Sequence, residues 1–219
     1  MKNIFSKFVL TATTIVAAAL VTSAIASSAV IVSLDDTPTK SQAGLQTAVF
    51  AGGCFWCTES DFDKVKGVVS TTSGYIGGSV KNPTYEQVSA GGTGHAEAVE
   101  VKFDPKKITY ASLLKVYWLS IDPLTENRQF CDSGSQYRSA IFYIGESQKK
   151  QALAYKKSLE DSKFFKQPIV TEITAASEFY PAEDYHQDYH NKNPVRYNYY
   201  RSSCGRDARL KQVWGKKKI

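Results

Sequence analysis

Short apolar runs and amphipathic stretches alternate along most of the chain. A strand is predicted where apolar residues run together or alternate with polar ones, and a helix where they recur every three or four positions. The clearest alternation lies in the segment 96–104, where Val99, Val101 and Phe103 share one face. In chain order, the pattern predicts strands at 47–51, 68–74, 96–104, 137–144 and 169–174, and helices at 54–66, from Asn82 to the glycines at 91–94, and at 109–121, 147–161, 181–191 and 207–214.

The order of these elements predicts the fold class. From residue 47 to residue 144 it is β-α-β-β-α-β with one small helix inserted, which is the split βαβ pattern of ferredoxin-like proteins. We therefore expect an α+β protein, built as a two-layer ferredoxin-like sandwich with a mixed sheet and followed by an irregular C-terminal extension.

The N-terminal segment is typical of an exported protein. Lys2 and Lys7 precede an uncharged stretch at 8–34, and Ala24-Ile25-Ala26 has the small-x-small form of a signal-peptidase site. The alternative is an uncleaved membrane anchor, because the uncharged run is long enough to span a bilayer. Both alternatives place the protein in the periplasm or cell envelope, with membrane contact only if the segment is retained. The predicted organisation is a signal peptide at 1–26, a linker at 27–46 and a folded domain at 47–219.

Composition and charge narrow the function class. The chain has 27 Lys and Arg against 21 Asp and Glu, a net charge of +6. This excess is mild, and no basic patch is interleaved with aromatic residues, so we expect no nucleic-acid partner. The 4 cysteines of an exported chain first suggest disulfides, but their spacing is uneven and two of them form Cys54-x-x-Cys57. A reactive cysteine pair is the better interpretation.

Cys54 lies where a strand, two glycines and a helix are predicted to meet. A thiolate at a helix N-terminus is stabilised by the helix dipole and by free backbone N–H groups, which lowers the pKa of the thiol. Gly52 and Gly53 permit a tight turn and leave space above the sulfur. We therefore predict that Cys54 is a nucleophile, the alternative being an inert buried thiol.

Phe55 and Trp56 directly follow Cys54. They provide either an apolar wall beside the thiolate, shaped for a methyl group, or ordinary core packing.

Glu97 shares the face of Val99, Val101 and Phe103 in the predicted strand. A carboxyl group at the end of an apolar row has its pKa raised by desolvation and can hold a proton near neutral pH, as a general acid must. The alternative is a strand-end residue that reaches solvent. For the neighbouring His95, a structural role in a turn is favoured over a role as a base.

Further polar residues offer weaker indications. Asp132 and Tyr137 lie in a polar loop that enters a strand, where a tyrosine hydroxyl could hold a polar oxygen. His186 and His190 have the spacing of metal ligands on a helix and could form a site with Cys204. Surface or packing histidines are favoured, and we expect no metal. Cys204 lies in a flexible-looking segment that suits a resolving thiol, whereas Cys131 is expected to be a small packed residue.

Several separated motifs resemble those of the A-type peptide methionine-sulfoxide reductases. They stand in the order seen in that family and span roughly residues 47–214. These motifs are Gly53-Cys54-Phe55-Trp56, Gly74-Tyr75 with Gly77-Gly78, Asn82-Pro83-Thr84-Tyr85, Gly94-His95-Ala96-Glu97, Gln136-Tyr137-Arg138-Ser139 and Tyr180-Pro181-Ala182-Glu183-Asp184-Tyr185-His186-Gln187.

The resemblance implies a catalytic domain at 47–219 that reduces the S epimer of methionine sulfoxide, free or in oxidised proteins. By motif, Cys54 attacks the sulfoxide sulfur and Glu97 protonates its oxygen. Tyr85 and Tyr137 resemble the hydroxyls that hold this oxygen, Asp132 the supporting carboxylate, and Phe55 and Trp56 the pocket for the S-methyl group. The resemblance also implies a sulfenic acid and then a disulfide reduced by a thioredoxin-like donor, with no cofactor, and we expect a monomer.

The recycling cysteine stays open at this point. Many family members have Gly at the position of Cys57 and use C-terminal cysteines, and others carry a cysteine at this position. This chain has both Cys57 and Cys204. Two rival functions also remain: a general thiol–disulfide oxidoreductase based on Cys54-x-x-Cys57, and a non-catalytic metal-binding or cell-envelope interaction module. The bulky Phe-Trp centre and the inward Glu97 argue against the first rival.

Overall fold

A computed structural model describes residues 44–215 of the protein. The predicted signal peptide at 1–26 and the linker up to residue 43 lie outside the described residues. The strands are β1 Gln46–Gly52, β2 Val68–Ile76, β3 Ala96–Phe103, β4 Arg128–Gln129, β5 Asp132–Ser133, β6 Ser139–Tyr143, β7 Glu172–Ala175 and β8 Tyr180–Pro181. The helices are α1 Phe55–Asp63, α2 Tyr85–Ser89, α3 Tyr110–Leu119, α4 Gly145–Asp161, α5 Tyr189–Lys192, α6 Pro194–Ser203 and α7 Arg206–Trp214.

The main sheet has 6 strands in the order β7-β6-β1-β3-β2-β8. Its central strands β6-β1-β3-β2 are all antiparallel, in the order that the split βαβ pattern requires. At one edge β7 pairs with β6 in parallel, so the sheet is mixed. The predicted α+β class with a mixed sheet is therefore confirmed.

The core fills the space between the helices and one face of the sheet. Val99, Val101 and Phe103 of β3 are all fully buried there, as their alternation predicted. From β1, the ring of Phe50 stacks on Phe62 of α1 and on Tyr117 of α3, each with ring centroids 5.0 Å apart. These aromatic contacts fix α1 and α3 against β1, and thereby fix the end of β1 that leads into the functional site.

The predicted helix at 181–191 is wrong. Pro181 instead lies in β8, paired with Gly74 of β2. Beyond it, the side chain of Gln187 accepts a hydrogen bond from Ser73 N and donates one to Ser73 O, both at 2.8 Å. Asp188 then has a left-handed φ of 55°, so the helix α5 begins only at the next residue. Pairing with the sheet edge has overridden the local helical pattern.

Several predicted boundaries also shift, and two of these shifts have a clear local cause. The helix expected from Asn82 begins at Tyr85, because Asn82 has a φ of 47° and Thr84 forms a capping box with Gln87. The strand expected from Tyr137 begins at Ser139, since Ser135–Tyr137 forms a 3-10 turn.

The C-terminal part is irregular between β8 and α5. Within residues 44–215, no helix is both long enough and apolar enough to cross a membrane.

Candidate active site

Cys54 lies at the N-cap of α1, directly after the turn that ends β1. Gly53 in this turn has a φ of 81°, and a Cβ there would lie 2.5 Å from Cβ of the buried Gln129. Both the backbone conformation and the close approach therefore require glycine at this position. Cys54 is buried, with only 7% of its surface exposed.

A cavity of about 180 Å³ opens onto the sulfur of Cys54. It gathers every residue that the sequence analysis placed in the catalytic or methyl-binding set, although they come from widely separated segments. Tyr200, from α6, is an additional member that the sequence analysis missed. The lining residues are Cys54, Phe55, Trp56, Tyr85, Glu97, Asp132, Tyr137 and Tyr200.

Glu97 of β3 is 2% exposed and faces the start of α1. Its Oε2 accepts a hydrogen bond of 3.0 Å from the backbone N–H of Phe55. Burial raises the pKa of Glu97 to about 8, and the negative charge of Asp132 adds to this. The carboxyl group therefore holds a proton at neutral pH and can donate it to a ligand oxygen in the cavity.

Three tyrosines bring hydroxyl groups to the cavity. Burial raises the pKa of Tyr85 to about 12, and burial also raises the pKa values of Tyr137 and Tyr200 above the usual range. All three therefore remain hydrogen-bond donors at neutral pH. The hydroxyl of Tyr200 donates to Oδ2 of Asp132, and this bond opposes the rise that burial causes in the pKa of that carboxyl.

The aromatic wall of the cavity is held from behind by the segment 186–189. The indole of Trp56 stacks on Tyr189, with ring centroids 3.7 Å apart and planes within 4°. Its Nε1 donates a hydrogen bond of 3.0 Å to Nδ1 of His186, which is 2% exposed. Burial lowers the pKa of His186, so the ring is neutral and keeps a lone pair for this bond. Trp56 is thereby fixed in one orientation.

The histidines do not form the metal site that was considered with Cys204. His186 accepts the hydrogen bond from Trp56, whereas Nε2 of His190 lies 3.6 Å from Oδ2 of Asp63. Among residues 44–215, no group of potential metal ligands combines His186, His190 and Cys204. His95 has the structural role that was favoured: its Nδ1 accepts from Gly78 N at 3.1 Å, and its Nε2 lies 2.7 Å from Val80 O.

Comparison with known proteins decides the family. Residues 46–218 match the sequence profile of the family described as "Peptide methionine sulfoxide reductase". The chain belongs to this family. It is 51% identical over 172 residues to "Peptide methionine sulfoxide reductase MsrA" of Bacillus licheniformis, covering 78% of this chain and 95% of that protein. The protein is therefore an enzyme, a peptide methionine sulfoxide reductase of the MsrA type.

Solved structures agree with this assignment. The chain is similar to methionine sulfoxide reductase A of Corynebacterium diphtheriae, with 37% identity and a TM-score of 0.63 over 70% of this chain and 77% of that one. It is also similar to Mxr1 of Saccharomyces cerevisiae in its reduced form, with 33% identity and a TM-score of 0.65 over 69% of this chain and 87% of that one.

In this reductase, Cys54 and Cys57 are the free cysteines, and both are buried. The expectation that the pKa of Cys54 is lowered at the helix N-terminus is wrong for this state. Burial raises the pKa of Cys54 well above its usual value, and the neighbouring Cys57 and Glu97 add to this rise, whereas the hydrogen bond with Tyr200 opposes it. A hydrogen bond from Cys54 lowers the pKa of Cys57 to about 7, with further help from Arg206 and Arg201. Of the two sulfurs, that of Cys57 therefore ionises first, next to a protonated Cys54.

The other two cysteines of the reductase form a disulfide, Cys131–Cys204. Cys131 is exposed, so the expectation of a small packed residue is wrong. Cys204 is the C-cap of α6 rather than part of a flexible segment, and its sulfur is occupied. The sequence alone gives no partner for a cysteine here, because four cysteines can be connected in three different ways. The disulfide joins α6, which carries Tyr200, to the residue before Asp132.

Proposed function

We propose that this enzyme reduces the S epimer of methionine sulfoxide, both free and in oxidised proteins. Cys54 is the nucleophile, Glu97 the general acid and Cys57 the cysteine that resolves the oxidised intermediate. The observation that carries this proposal is the cavity of about 180 Å³, in which one sulfur, one buried protonated carboxyl group and an aromatic wall face each other. The site needs no cofactor for this chemistry.

The substrate would place its S-methyl group against Phe55 and Trp56 and its oxygen toward the hydroxyl groups. Sulfoxide sulfur is a poor electrophile until its oxygen is protonated or strongly hydrogen-bonded. Tyr85 and Tyr137 donate to this oxygen, and Glu97 supplies the proton. Because Trp56 is fixed in one orientation, the position of the methyl pocket is fixed as well. The methyl group and the oxygen of the sulfoxide then cannot exchange places, so the site favours one epimer.

Attack on sulfur requires the thiolate of Cys54. Since Cys57 ionises first and accepts a hydrogen bond from Cys54, transfer of the Cys54 proton to Cys57 produces the Cys54 thiolate without a separate base. The thiolate attacks the sulfoxide sulfur as Glu97 protonates the oxygen, and a bond forms between the two sulfurs. The S–O bond and this S–S bond then break as the hydroxyl group moves to the sulfur of Cys54, and methionine leaves. Sulfoxide sulfur has been reduced, and Cys54 has become a sulfenic acid.

Cys57 is the better candidate for the second step. Its sulfur already makes a hydrogen bond with Cys54, whereas that of Cys204 is bound to Cys131. Attack by Cys57 on the sulfenic sulfur releases water and forms the Cys54–Cys57 disulfide. A thioredoxin-like dithiol would reduce this disulfide by exchange, taking the oxidation onto its own pair of sulfurs. We also propose that the enzyme works after export, in the periplasm or cell envelope.

The test compares both epimers of methionine sulfoxide, free and within a peptide, using thioredoxin and its reductase as the electron source. We expect turnover of the S epimer only, and none with Cys54→Ser. An insulin-reduction assay run in parallel provides the control for general disulfide reductase activity. Preferential turnover of the R epimer, or insulin reduction without sulfoxide reduction, would refute the proposal.

A further inference from the structure

The guanidinium group of Arg206 is buried directly behind the strand end that carries Cys54. Arg206 begins α7 and is 1% exposed. Its Nη1 donates to Gly52 O at 3.1 Å, and its Nη2 donates to Ser120 O at 2.8 Å. These neutral carbonyl groups orient the cation. The C-terminal part of the chain thus places a buried guanidinium group at the turn before the nucleophile.

A second arginine joins it on the same face of α1. Arg201 Nη1 lies 2.8 Å from Asp61 Oδ1, while Arg206 Nη2 lies 3.7 Å from Asp61 Oδ2. Asp61 follows Cys57 by one turn of the helix, so both cations lie along the flank of Cys57. Asp207 also pairs with Arg201, with its Oδ1 2.7 Å from Nη2, so two carboxylates share the charge of Arg201. Arg206, whose contact with Asp61 is longer at 3.7 Å, is the less neutralised of the two cations beside Cys57.

The charged and titratable groups around Cys57 have opposing effects on the pKa of its thiol. Besides the hydrogen bond from Cys54, which is the largest influence, Arg206 and Arg201 lower the pKa of Cys57, and Asp61 raises it. Burial also opposes the thiolate. The groups that face Cys57 from α1, β3, α6 and α7 are Cys54, Asp61, Glu97, Tyr197, Arg201 and Arg206.

Oxidation of Cys54 changes this balance. Once Cys54 is a sulfenic acid, its thiol no longer donates to Cys57, and Cys57 carries the proton taken from Cys54 in the first step. Cys57 must lose that proton before it can attack. The two arginine side chains remain beside Cys57 after this change, so they still favour its thiolate in the second step.

We propose that Arg206, assisted by Arg201, is the positioning residue of the recycling step and holds the charge that makes Cys57 an attacking thiolate. This inference rests on the proposed role of Cys57. In the step concerned, the Cys57 thiolate attacks the sulfur of the Cys54 sulfenic acid. The S–S bond forms, the S–O bond breaks, and the hydroxide takes up a proton and leaves as water. Cys57 is oxidised and the sulfenic sulfur is reduced.

The test follows both steps in a single turnover of the full-length enzyme with methionine-S-sulfoxide and no external reductant. Rapid quenching and mass spectrometry measure methionine, which reports the first step, and the Cys54–Cys57 disulfide, which reports the second. The measurement is repeated from pH 5.5 to pH 9, a window of about three and a half pH units around the neutral range in which perturbed thiols titrate. Wild type, Arg206→Gln, Arg206→Lys and Arg209→Gln are compared.

Arg206→Gln keeps a hydrogen-bond donor but removes the charge. We expect it to give the full amplitude of methionine while disulfide formation slows and its pH midpoint moves upward. A pKa raised by about one unit cuts the thiolate fraction about tenfold, but the more basic thiolate is about threefold more nucleophilic, so the net loss below the midpoint is about threefold. Arg206→Lys should restore the midpoint. Arg209→Gln, in the same helix but paired with Asp122, should match wild type.

The proposal fails if disulfide formation in Arg206→Gln keeps the wild-type rate and midpoint, or if Arg206→Lys behaves like Arg206→Gln, since the charge would then be irrelevant. If thermal melting reveals that Arg206→Gln does not fold, Arg201→Gln makes the same test. A wild-type enzyme that forms methionine without the Cys54–Cys57 disulfide would instead refute the role of Cys57 itself. The two failures are therefore distinguishable.

Discussion

Glu97 and Phe55 are joined by a hydrogen bond of 3.0 Å, from the backbone N–H of Phe55 to Oε2 of Glu97. Phe55 directly follows Cys54, so this bond fixes the carboxyl group to the helix start that carries the nucleophilic sulfur. One backbone N–H of the helix N-terminus is thereby satisfied by the acid rather than by a capping side chain. The distance between acid and sulfur is consequently set by the backbone.

The first prediction concerns Glu97→Gln. The acid works in its protonated form, and its pKa is about 8, so wild-type kcat should fall as the pH rises through 8. Glutamine keeps the shape and the hydrogen bond to Phe55 but has no proton to give. We expect kcat to drop by roughly two orders of magnitude, the usual contribution of a general acid, and the decline above pH 8 to disappear.

Steady-state kinetics across pH 6–9, the range of about one to two units on each side of that pKa, measure both effects. Wild-type kcat in this variant would contradict the role of Glu97 as the acid.

The second prediction concerns Tyr200→Phe. The Tyr200 hydroxyl donates its one proton to Asp132 while Cys54 is a thiol, and it can turn to donate this proton to the Cys54 thiolate, which lowers the pKa of that thiol. Without the hydroxyl, the single-turnover formation of methionine should slow about tenfold, which corresponds to the loss of roughly 1.4 kcal/mol from a bond to a charged group. The pH optimum of methionine formation should also move to higher pH. Tyr199→Phe is the matched control, because Tyr199 lies in the same helix and is 74% exposed. Equal rates in both variants would rule out a role for the Tyr200 hydroxyl.

The third prediction concerns the support of Trp56 by His186. In His186→Leu the indole N–H loses its acceptor, at a cost of about 1 kcal/mol, so KM for the sulfoxide should rise roughly fivefold with a smaller change in kcat. His186→Asn retains an acceptor and should recover most of the loss. Initial-rate measurements over a range of sulfoxide concentrations separate KM from kcat. An unchanged KM in the leucine variant would show that the orientation of Trp56 does not depend on His186.

The fourth prediction concerns the Cys131–Cys204 disulfide, whose cysteines are 73 residues apart. Closing a loop of this length restricts the unfolded chain, so Cys131→Ala/Cys204→Ala should lower the free energy of unfolding by about 2–4 kcal/mol. Urea denaturation without reductant measures this. The double variant should still form the Cys54–Cys57 disulfide after one turnover. If that disulfide no longer forms, Cys204 takes part in recycling and the assignment of Cys57 alone is wrong.

The parts of the site that depend on local periodicity could be predicted from the sequence. The side chains of a strand alternate between its faces, so the buried position of Glu97 follows from Val99, Val101 and Phe103 two, four and six residues away. The strand–glycine–helix junction at Cys54 is equally local. The order of the elements likewise predicted the split βαβ arrangement of the central sheet, because this order leaves few ways to arrange four strands.

The parts that depend on distant contacts could not be predicted. Tyr200 reaches Asp132 across 68 positions of sequence, and its helix has no pattern that indicates which face meets the cavity. The pKa of Cys54 depends on how completely the fold buries the sulfur, and this burial raises it. Residues 182–188 fail as a helix because Gln187 bonds to the edge of β2, a partner more than one hundred positions away.

The most direct test of the account is peptide mapping by mass spectrometry after one turnover with methionine-S-sulfoxide, without external reductant. The account predicts one methionine per enzyme, a new disulfide between Cys54 and Cys57, and an unchanged Cys131–Cys204 disulfide. Formation of methionine with Cys54 still a free thiol would contradict it, and so would a new disulfide that joins Cys54 to Cys131 or Cys204.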